Sequence, residues 1–393
     1  MAGNDAVAYA VTLARPDVIA AYPITPQTTI VERLAELHAD GELDAQYLHM
    51  DSEHSAMSAA MGASALGVRV FTATSSQGLL YMAECLHYAA GGRFPIVMAN
   101  ANRALALPWN IYGDQRDALS LLDCGWIQLY AEDAQEAFDL TLISFRLAEH
   151  PQVLTPVMLN LDGFSLTHTY EPVDLPDKER VDRFLPPVEV PFRMDLDHPM
   201  SLGFSAGPRH NTGFALKRHL AQEKAIEVLA QIEEDFGREF GRLRTGALES
   251  WYVEDAQWLL VTLGSISGIA REIVDELRRA GVKAGVVRLR MIRPFPAQAL
   301  RQALRTATAV GVLEKNISVG FEGTLCSQVR AALQPLGGDS PPVLGFCAGL
   351  GGKNISADDI RQIFRRIERA QDEVETAFGV NWIDPGVSLE QDP

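Results

Sequence analysis

What most constrains the fold of this chain is an alternation of short apolar runs with helical patterns, and the sequence runs through it twice. From residue 18 to about 163, "DVIAAY" leads to a helix entered at Gln27, "QYLHM" to a helix from Asp51, and "VRVFTAT" to "GLLYMAECLHYAAG". "PIVMANA" then leads to a loop, and "PVMLNLDG" closes the series. Strands alternating with helices imply a parallel sheet covered on both faces. Residues 1–169 are therefore expected to form one α/β domain.

The alternation stops at residue 170 and resumes near 256. The first part of the interval, "YEPVDLPDKERVDRFLPPVEVPFRMDLDHP", is proline-rich and charged and is expected to be an extended linker. A long polar helix, "ALKRHLAQEKAIEVLAQIEEDFGREFGRL", follows, and its mixed charges suggest a solvated face. From 256 to about 355, "WLLVTLGS", "AGVVRLRMI", "AVGVLE" and "PVLGFCAG" alternate with helices and imply a second, smaller parallel-sheet domain. Residues 356–393 read as a C-terminal helix and a tail, "GVNWIDPGVSLEQDP", without periodicity. The fold class is thus α/β with two parallel-sheet domains.

Bulk properties narrow the function. A net charge of −17 argues against a nucleic-acid backbone or an anionic membrane surface as main partner. No run is long enough for a membrane span, and "MAGNDAVAYAV" lacks the layout of a signal peptide, so the cytoplasm is the expected compartment. The four cysteines stand singly, without the paired spacing of a zinc or iron–sulfur site, and the nine histidines show no ligand spacing. No metal site is expected in this chain.

In a doubly wound sheet, ligands sit beyond the carboxyl ends of the strands. Five places qualify in the first domain: Thr25, Glu53, the "SSQG" of Ser75, Ser76 and Gln77, Arg103, and the "DGF" at Asp162. Pro23 and Pro26 hold Thr25 extended, either as a helix cap or as a fixed hydroxyl. Glu53 lies in the first turn of "DSEHSAMSAAMGASALG", a helix of small residues that another backbone can approach closely. It is either a capping-turn charge or a functional carboxylate. Arg103 follows an apolar strand and either clamps a carboxylate or bridges to Asp114 or Asp117. "SSQG" has the composition of a phosphate nest. No Walker loop or G-x-G-x-x-G fingerprint occurs.

The ordered motifs "AYPITPQT", "DSEHSAMSAAMGAS", "FTATSSQGLLYMAE", "NANRALALPWNIYGDQRD" and "LDGFSLTH" resemble the α subunit of the 2-oxoacid:ferredoxin oxidoreductases. Of these the pyruvate enzyme is best known. The resemblance is strong over residues 3 to about 170, and "VTLGSISGIAREIVDELRRAGVKAGVVRLRMIRPFP" resembles the transketolase C-terminal-type domain that follows in this family. It implies a thiamine diphosphate pyrimidine-binding-type domain in an enzyme built from several chains. A β subunit is then expected to carry the diphosphate and its Mg2+, in keeping with the absence of a G-D-G…N-N pattern here. A γ subunit and a δ-type subunit bearing 4Fe-4S clusters are expected as further partners, with ferredoxin or another acceptor receiving the electrons.

By position, Glu53 matches the glutamate that hydrogen-bonds N1′ of the aminopyrimidine, promoting the imino tautomer whose 4′-nitrogen takes the thiazolium C2 proton. Thr25 and Arg103 match the pair that holds the substrate carboxylate, and Ser75, Ser76 and Gln77 fall at cofactor-binding positions. The chain departs from many pyruvate enzymes, which read "TARAL" then "IFGDHQD" and carry an Arg after "DGF". Trp109 and Tyr112 in the altered loop either line a pocket for a bulkier 2-oxoacid, such as phenylglyoxylate, or pack the loop down. The expected activity is CoA-acylating oxidative decarboxylation of a 2-oxoacid, with pyruvate first. The rivals are a lipoamide-linked 2-oxoacid dehydrogenase component or transketolase, and a non-catalytic assembly subunit.

Overall fold

The computed structural model describes residues 1–195, 197–203, 205–244, 246–370 and 379–386. Within these, the first half contributes strands β1 (Val18–Ala21), β2 (Gln46–His49), β3 (Val70–Thr74), β4 (Val97–Asn102), β5 (Ile127–Tyr130) and β6 (Val157–Asp162). The second half contributes β7 (Leu248–Trp251), β8 (Trp258–Leu263), β9 (Ala284–Leu289), β10 (Met291–Arg293), β11 (Ala309–Glu314), β12 (Val343–Cys347) and β13 (Val380–Trp382). They form two sheets, ordered β10-β5-β6-β4-β3-β1-β2 and β13-β12-β11-β8-β9-β7. Strands β3, β4, β5 and β6 are buried throughout, as a sheet covered on both faces requires.

Both sheets depart from the purely parallel expectation at one edge. β10 pairs antiparallel with β5, and β7 antiparallel with β9. "AGVVRLRMI", read as one strand of the second domain, is in fact two: β9 stays in the second sheet while β10 crosses to the first. The second sheet also takes in β7, ahead of residue 256, and β13 from the tail, which pairs parallel with β12. Strands of three or four residues are too short for a period-2 pattern to register. The rest of the tail, residues 371–378 and 387–393, lies outside the described residues.

Two expectations about the central segment are corrected. The linker contains a helix, Lys178–Phe184, whose Phe184 packs edge-on against Phe236 at 5.1 Å. The polar helix runs from Pro208 to Phe240 and is solvated only in its first half. Its second half buries Ala225, Val228, Leu229, Ile232, Phe236 and Phe240 in the first domain's core. These recur at helical spacing beneath the more numerous charges.

A buried ion cluster joins the parts. Glu136, in the helix Ala134–Glu149, receives Arg288 Nη2 and Arg290 Nε, the latter at 2.8 Å. Arg290 also reaches Glu233 of the long helix at 2.6 Å, and Arg288 reaches Glu249 at 2.9 Å. Glu136, Arg288, Arg290 and Glu233 are each no more than 2% exposed. Burial alone would raise the Glu136 carboxyl, but the guanidiniums of Arg288, Arg290 and Arg244 outweigh it and hold it well below the usual carboxylate range.

Arg290→Met leaves two buried carboxylates undercompensated, and we expect it to cost about 3–5 kcal/mol in a urea melt of the chain. Because Glu136 is depressed when folded, its stabilisation is complete above its ordinary value of 4.5 and is lost as pH falls below it. Wild-type stability should therefore drop more steeply than that of Glu136→Gln below about pH 4.5. Parallel slopes would show that the cluster does not titrate with folding.

Candidate active site at the strand ends

β1, β3 and β4 are neighbours in the first sheet, so the residues just past their carboxyl ends converge although they are distant in sequence. Arg103 follows β4 and is 5% exposed. Its Nη1 donates to the Thr25 carbonyl oxygen at 2.8 Å and its Nη2 to Gln77 Oε1 at 3.1 Å, while Nε is buried without a partner. Neither expected bridge forms: Asp114 pairs with Arg116 at 2.7 Å, and Arg103 reaches Asp117 through its backbone N–H and not through its guanidinium. Among the described residues the guanidinium thus has no carboxylate within salt-bridge distance. Burial lowers its pKa against the opposing pull of Asp117 and Glu53.

Glu53 opens the helix Glu53–Ala65 and is 8% exposed. The N-cap is Ser52, whose hydroxyl accepts from Ser55 N at 3.1 Å, and Glu53 sits in the first turn as the capping-turn reading has it, so its place in the helix leaves both readings of the carboxylate standing. Its carboxylate accepts no hydrogen bond among the described residues. It lies against Gly78, where an added Cβ would meet Glu53 Oε1 at 2.6 Å. Glycine leaves that space open.

Thr25 is not a helix cap. Gln27 holds the turn, accepting from Ile24 N at 3.1 Å and donating to the Ala73 carbonyl oxygen at 3.0 Å. Thr25 is exposed and presents its carbonyl oxygen to Arg103, and its hydroxyl makes no hydrogen bond among the described residues.

The "SSQG" turn differs from a phosphate nest. Ser75 Oγ donates to the Ala101 carbonyl oxygen and Ser76 Oγ to that of Ala104, each at 2.7 Å, and Ser76 N–H faces the Asp117 carboxylate at 3.1 Å. Both serine hydroxyls are engaged within the chain; Ser76 Oγ also lies 2.7 Å from Gln77 Oε1, the atom that Arg103 Nη2 reaches. Hydroxyl-rich composition cannot distinguish these uses, because backbone carbonyls accept as readily as an anion does.

Sequence reasoning treated Asp117 only as a possible partner for Arg103; in the fold it is a hub. Fully buried, it accepts from the backbone N–H groups of Ser76, Arg103 and Ala118 and from Asn100 and Asn102 Nδ2. Burial pushes its carboxyl up to about 6, against the pull of the Asn102, Arg103 and Ala118 donors. The alternating asparagines of "MANAN", polar groups inside a buried strand, were the available signal.

The second sheet closes one side of the site. Asp162, at the end of β6, accepts from Ser265 N at 2.7 Å and Ser265 Oγ at 2.6 Å, and Lys315 Nζ stands 3.5 Å away. Burial would raise its carboxyl, but Lys315 and the Ser265 donors prevail and lower it. The loop between Arg103 and Asp114 is tied down by Asn110 Nδ2, which donates to the Gly351 carbonyl oxygen at 2.9 Å. Tyr112 packs on Phe164 with ring centroids 5.1 Å apart, whereas Trp109 stays 69% exposed at the loop tip. Two open clefts of about 830 and 800 Å3 are lined by none of Thr25, Glu53 and Arg103.

Asp117→Asn turns an amide N–H2 toward an array of N–H donors. We expect a loss of about 1–3 kcal/mol in thermal unfolding. An unchanged melting temperature would remove Asp117 as the organiser of the strand ends.

Comparison with known proteins shows the family to which the chain's sequence belongs. Residues 9–234 match the family model described as pyruvate flavodoxin/ferredoxin oxidoreductase, thiamine diphosphate-binding, and residues 256–360 match pyruvate:ferredoxin oxidoreductase core domain II. The chain is 47% identical over 371 residues to pyruvate synthase subunit PorA of Methanothermobacter thermautotrophicus, covering 94% of this chain and 95% of that one. It is 42% identical over 383 residues to ketoisovalerate oxidoreductase subunit VorA of Pyrococcus horikoshii, covering 97% and 96%. Among solved structures, 2-oxoglutarate:ferredoxin oxidoreductase from Magnetococcus marinus superposes with a TM-score of 0.70 at 21% identity, over 94% of this chain and 65% of that one. A split-gene transketolase superposes at 0.51 and 16% identity, over 93% of this chain and 98% of that one. These last two likenesses are of fold. The chain belongs to the pyruvate flavodoxin/ferredoxin oxidoreductase family.

Proposed function

We propose that this chain is the α subunit of a multi-chain 2-oxoacid:ferredoxin oxidoreductase that converts a 2-oxoacid and coenzyme A to an acyl-CoA. The observation that carries this reading is the buried guanidinium of Arg103, held by two neutral acceptors and lacking a counter-ion among the described residues. A buried cation so placed is matched by a small carboxylate, bound by charge-assisted hydrogen bonds. Thr25 stands beside it with an unengaged hydroxyl, and together they orient the carboxylate of the 2-oxoacid.

Thiamine diphosphate, when bound, supplies the nucleophilic carbon and the electron sink for decarboxylation. The residues present fit it: Glu53 offers a nearly buried, unengaged carboxylate, and Gly78 keeps the approach to that carboxylate clear. Glu53 accepts and returns a proton at N1′ of the aminopyrimidine. The diphosphate with its Mg2+ is assigned to a β subunit and the 4Fe-4S clusters to a δ-type partner, with a γ subunit completing the assembly. The curated relatives, themselves named as subunits, support a multi-chain assembly.

Relatives named for pyruvate and for ketoisovalerate match at 47% and 42%, so the substrate is proposed as a class, a short 2-oxoacid with pyruvate first. The exposed Trp109 is the side chain we assign to discriminating longer 2-oxoacids. A non-catalytic assembly subunit would have no use for a buried guanidinium that lacks a carboxylate partner among the described residues and shares its site with an unengaged carboxylate, which favours the catalytic reading.

Arg103→Leu should lower kcat/KM for the 2-oxoacid by about 2–5 kcal/mol of transition-state stabilisation in the reconstituted complex, leaving coenzyme A kinetics nearly unchanged. Lost thermal stability with an intact kcat/KM would instead make Arg103 structural. Glu53→Gln keeps shape but not proton exchange, and should slow deuterium exchange at the cofactor's C2 by roughly 10²–10⁴-fold. Folding should survive, since a first-turn glutamate contributes only about 0.3–1 kcal/mol through the helix dipole. An unchanged exchange rate with cofactor fully bound would sink the assignment of Glu53.

A further inference from the structure

Thr74 is the last residue of β3, fully buried, and its hydroxyl has no hydrogen-bond partner among the described residues. Its neighbours are all engaged. Thr72 Oγ1 donates to the Ala20 carbonyl oxygen, Ser75 Oγ to that of Ala101 and Ser76 Oγ to that of Ala104, each at 2.7 Å. Backbone carbonyls near a strand end readily satisfy a hydroxyl, so a buried one left over needs a reason.

The reason lies across Gly78. A Cβ built on that glycine would stand 2.7 Å from Thr74 Oγ1 and 2.6 Å from Glu53 Oε1, so both oxygens border the same small space. One is a donor without an acceptor; the other belongs to a carboxylate without a donor. Any side chain larger than glycine would separate them.

We propose that Thr74 is a positioning residue for Glu53, its hydroxyl donating to the carboxylate oxygen that the bound aminopyrimidine does not use. The hydrogen bond closes when the cofactor draws Glu53 into register, and it holds the other carboxylate oxygen toward N1′. The inference rests on the assignment of Glu53 proposed above. A hydroxyl kept unpaired in the unliganded chain and satisfied in the liganded one converts part of the binding interaction into alignment.

Thr74→Val preserves shape and removes the hydroxyl; Thr74→Ser restores it. In the cofactor-free chain, Thr74→Val should leave the melting temperature unchanged or raise it, because it deletes an unpaired buried polar group. In the complex reconstituted with its partner subunits, the same variant should weaken thiamine diphosphate binding, followed by fluorescence quenching. It should also slow C2 deuterium exchange by about tenfold, the order of coupling between residues in contact. Thr74→Ser should recover both. In a Glu53→Gln background, adding Thr74→Val should change exchange no further.

A lower melting temperature for cofactor-free Thr74→Val with unchanged binding and exchange would overturn the proposal and make the hydroxyl structural. Multiplicative effects in the double variant would show that Thr74 does not act through Glu53. If Glu53→Gln alone leaves exchange unchanged, the assignment of Glu53 itself has failed, and the role of Thr74 falls with it.

Discussion

The arrangement of the molecule depends on the buried contact of Glu136 with Arg288 and Arg290. Taking such charges out of water is costly, and apolar residues of similar volume would often hold a core as well. What the ions add is selectivity of arrangement. Arg288 lies on β9 in the second sheet, Arg290 lies between β9 and β10, and Glu136 and Glu233 belong to two helices of the first core. These charges are matched only if the chain crosses from one sheet to the other between Leu289 and Met291. We take this demand as the reason a three-residue strand leaves its own sheet to pair with β5.

That docking places the second sheet where the site needs it. Ser265 and Lys315 reach Asp162, Gly351 receives Asn110, and Gly352 abuts Tyr112. The loop bearing Trp109 is therefore held from the second sheet as well as the first. At the same edge, the polar groups fall into two kinds. Asp117, Ser75 and Ser76 are satisfied and fix the backbone, while Arg103 Nε and Thr74 Oγ1 are buried without partners and the Glu53 carboxylate accepts no hydrogen bond among the described residues. Buried polar atoms left without partners at the ends of β3 and β4 give up stability there, the pattern expected of a binding site.

Much of this was legible in the sequence because it is local. The doubled alternation implies two covered sheets, and the position of Thr25, Glu53 and Arg103 just past strand ends or at a helix start suggests that they converge. The misses arise from long-range pairing. β7, β10 and β13 are three or four residues long, and only their partners make them strands. The long helix carries its apolar stripe beneath a majority of charges, so composition concealed a period that position reveals. Ser75 and Ser76 look the same in sequence whether they face an anion or a carbonyl. Asp117 became a hub only once β4 brought Asn100 and Asn102 beside it.

A net charge of −17 invites the objection that the chain would repel an anionic substrate. The objection fails on distance. At physiological ionic strength the Debye length is about 8 Å, so most surface carboxylates are screened from the site. A carboxylate at hydrogen-bonding distance from a 5% exposed guanidinium meets far less screening. Within the site itself, Asp117 and then Glu53 pull against the effect of burial on Arg103, and Arg103 and Glu53 interact without forming a salt bridge. Had they paired directly, the arginine would be neutralised and the glutamate occupied, and neither could serve a ligand. Keeping them apart, with Gln77 and the Thr25 carbonyl as neutral acceptors for the guanidinium, leaves one positive and one negative group in the same site, as the proposed function requires.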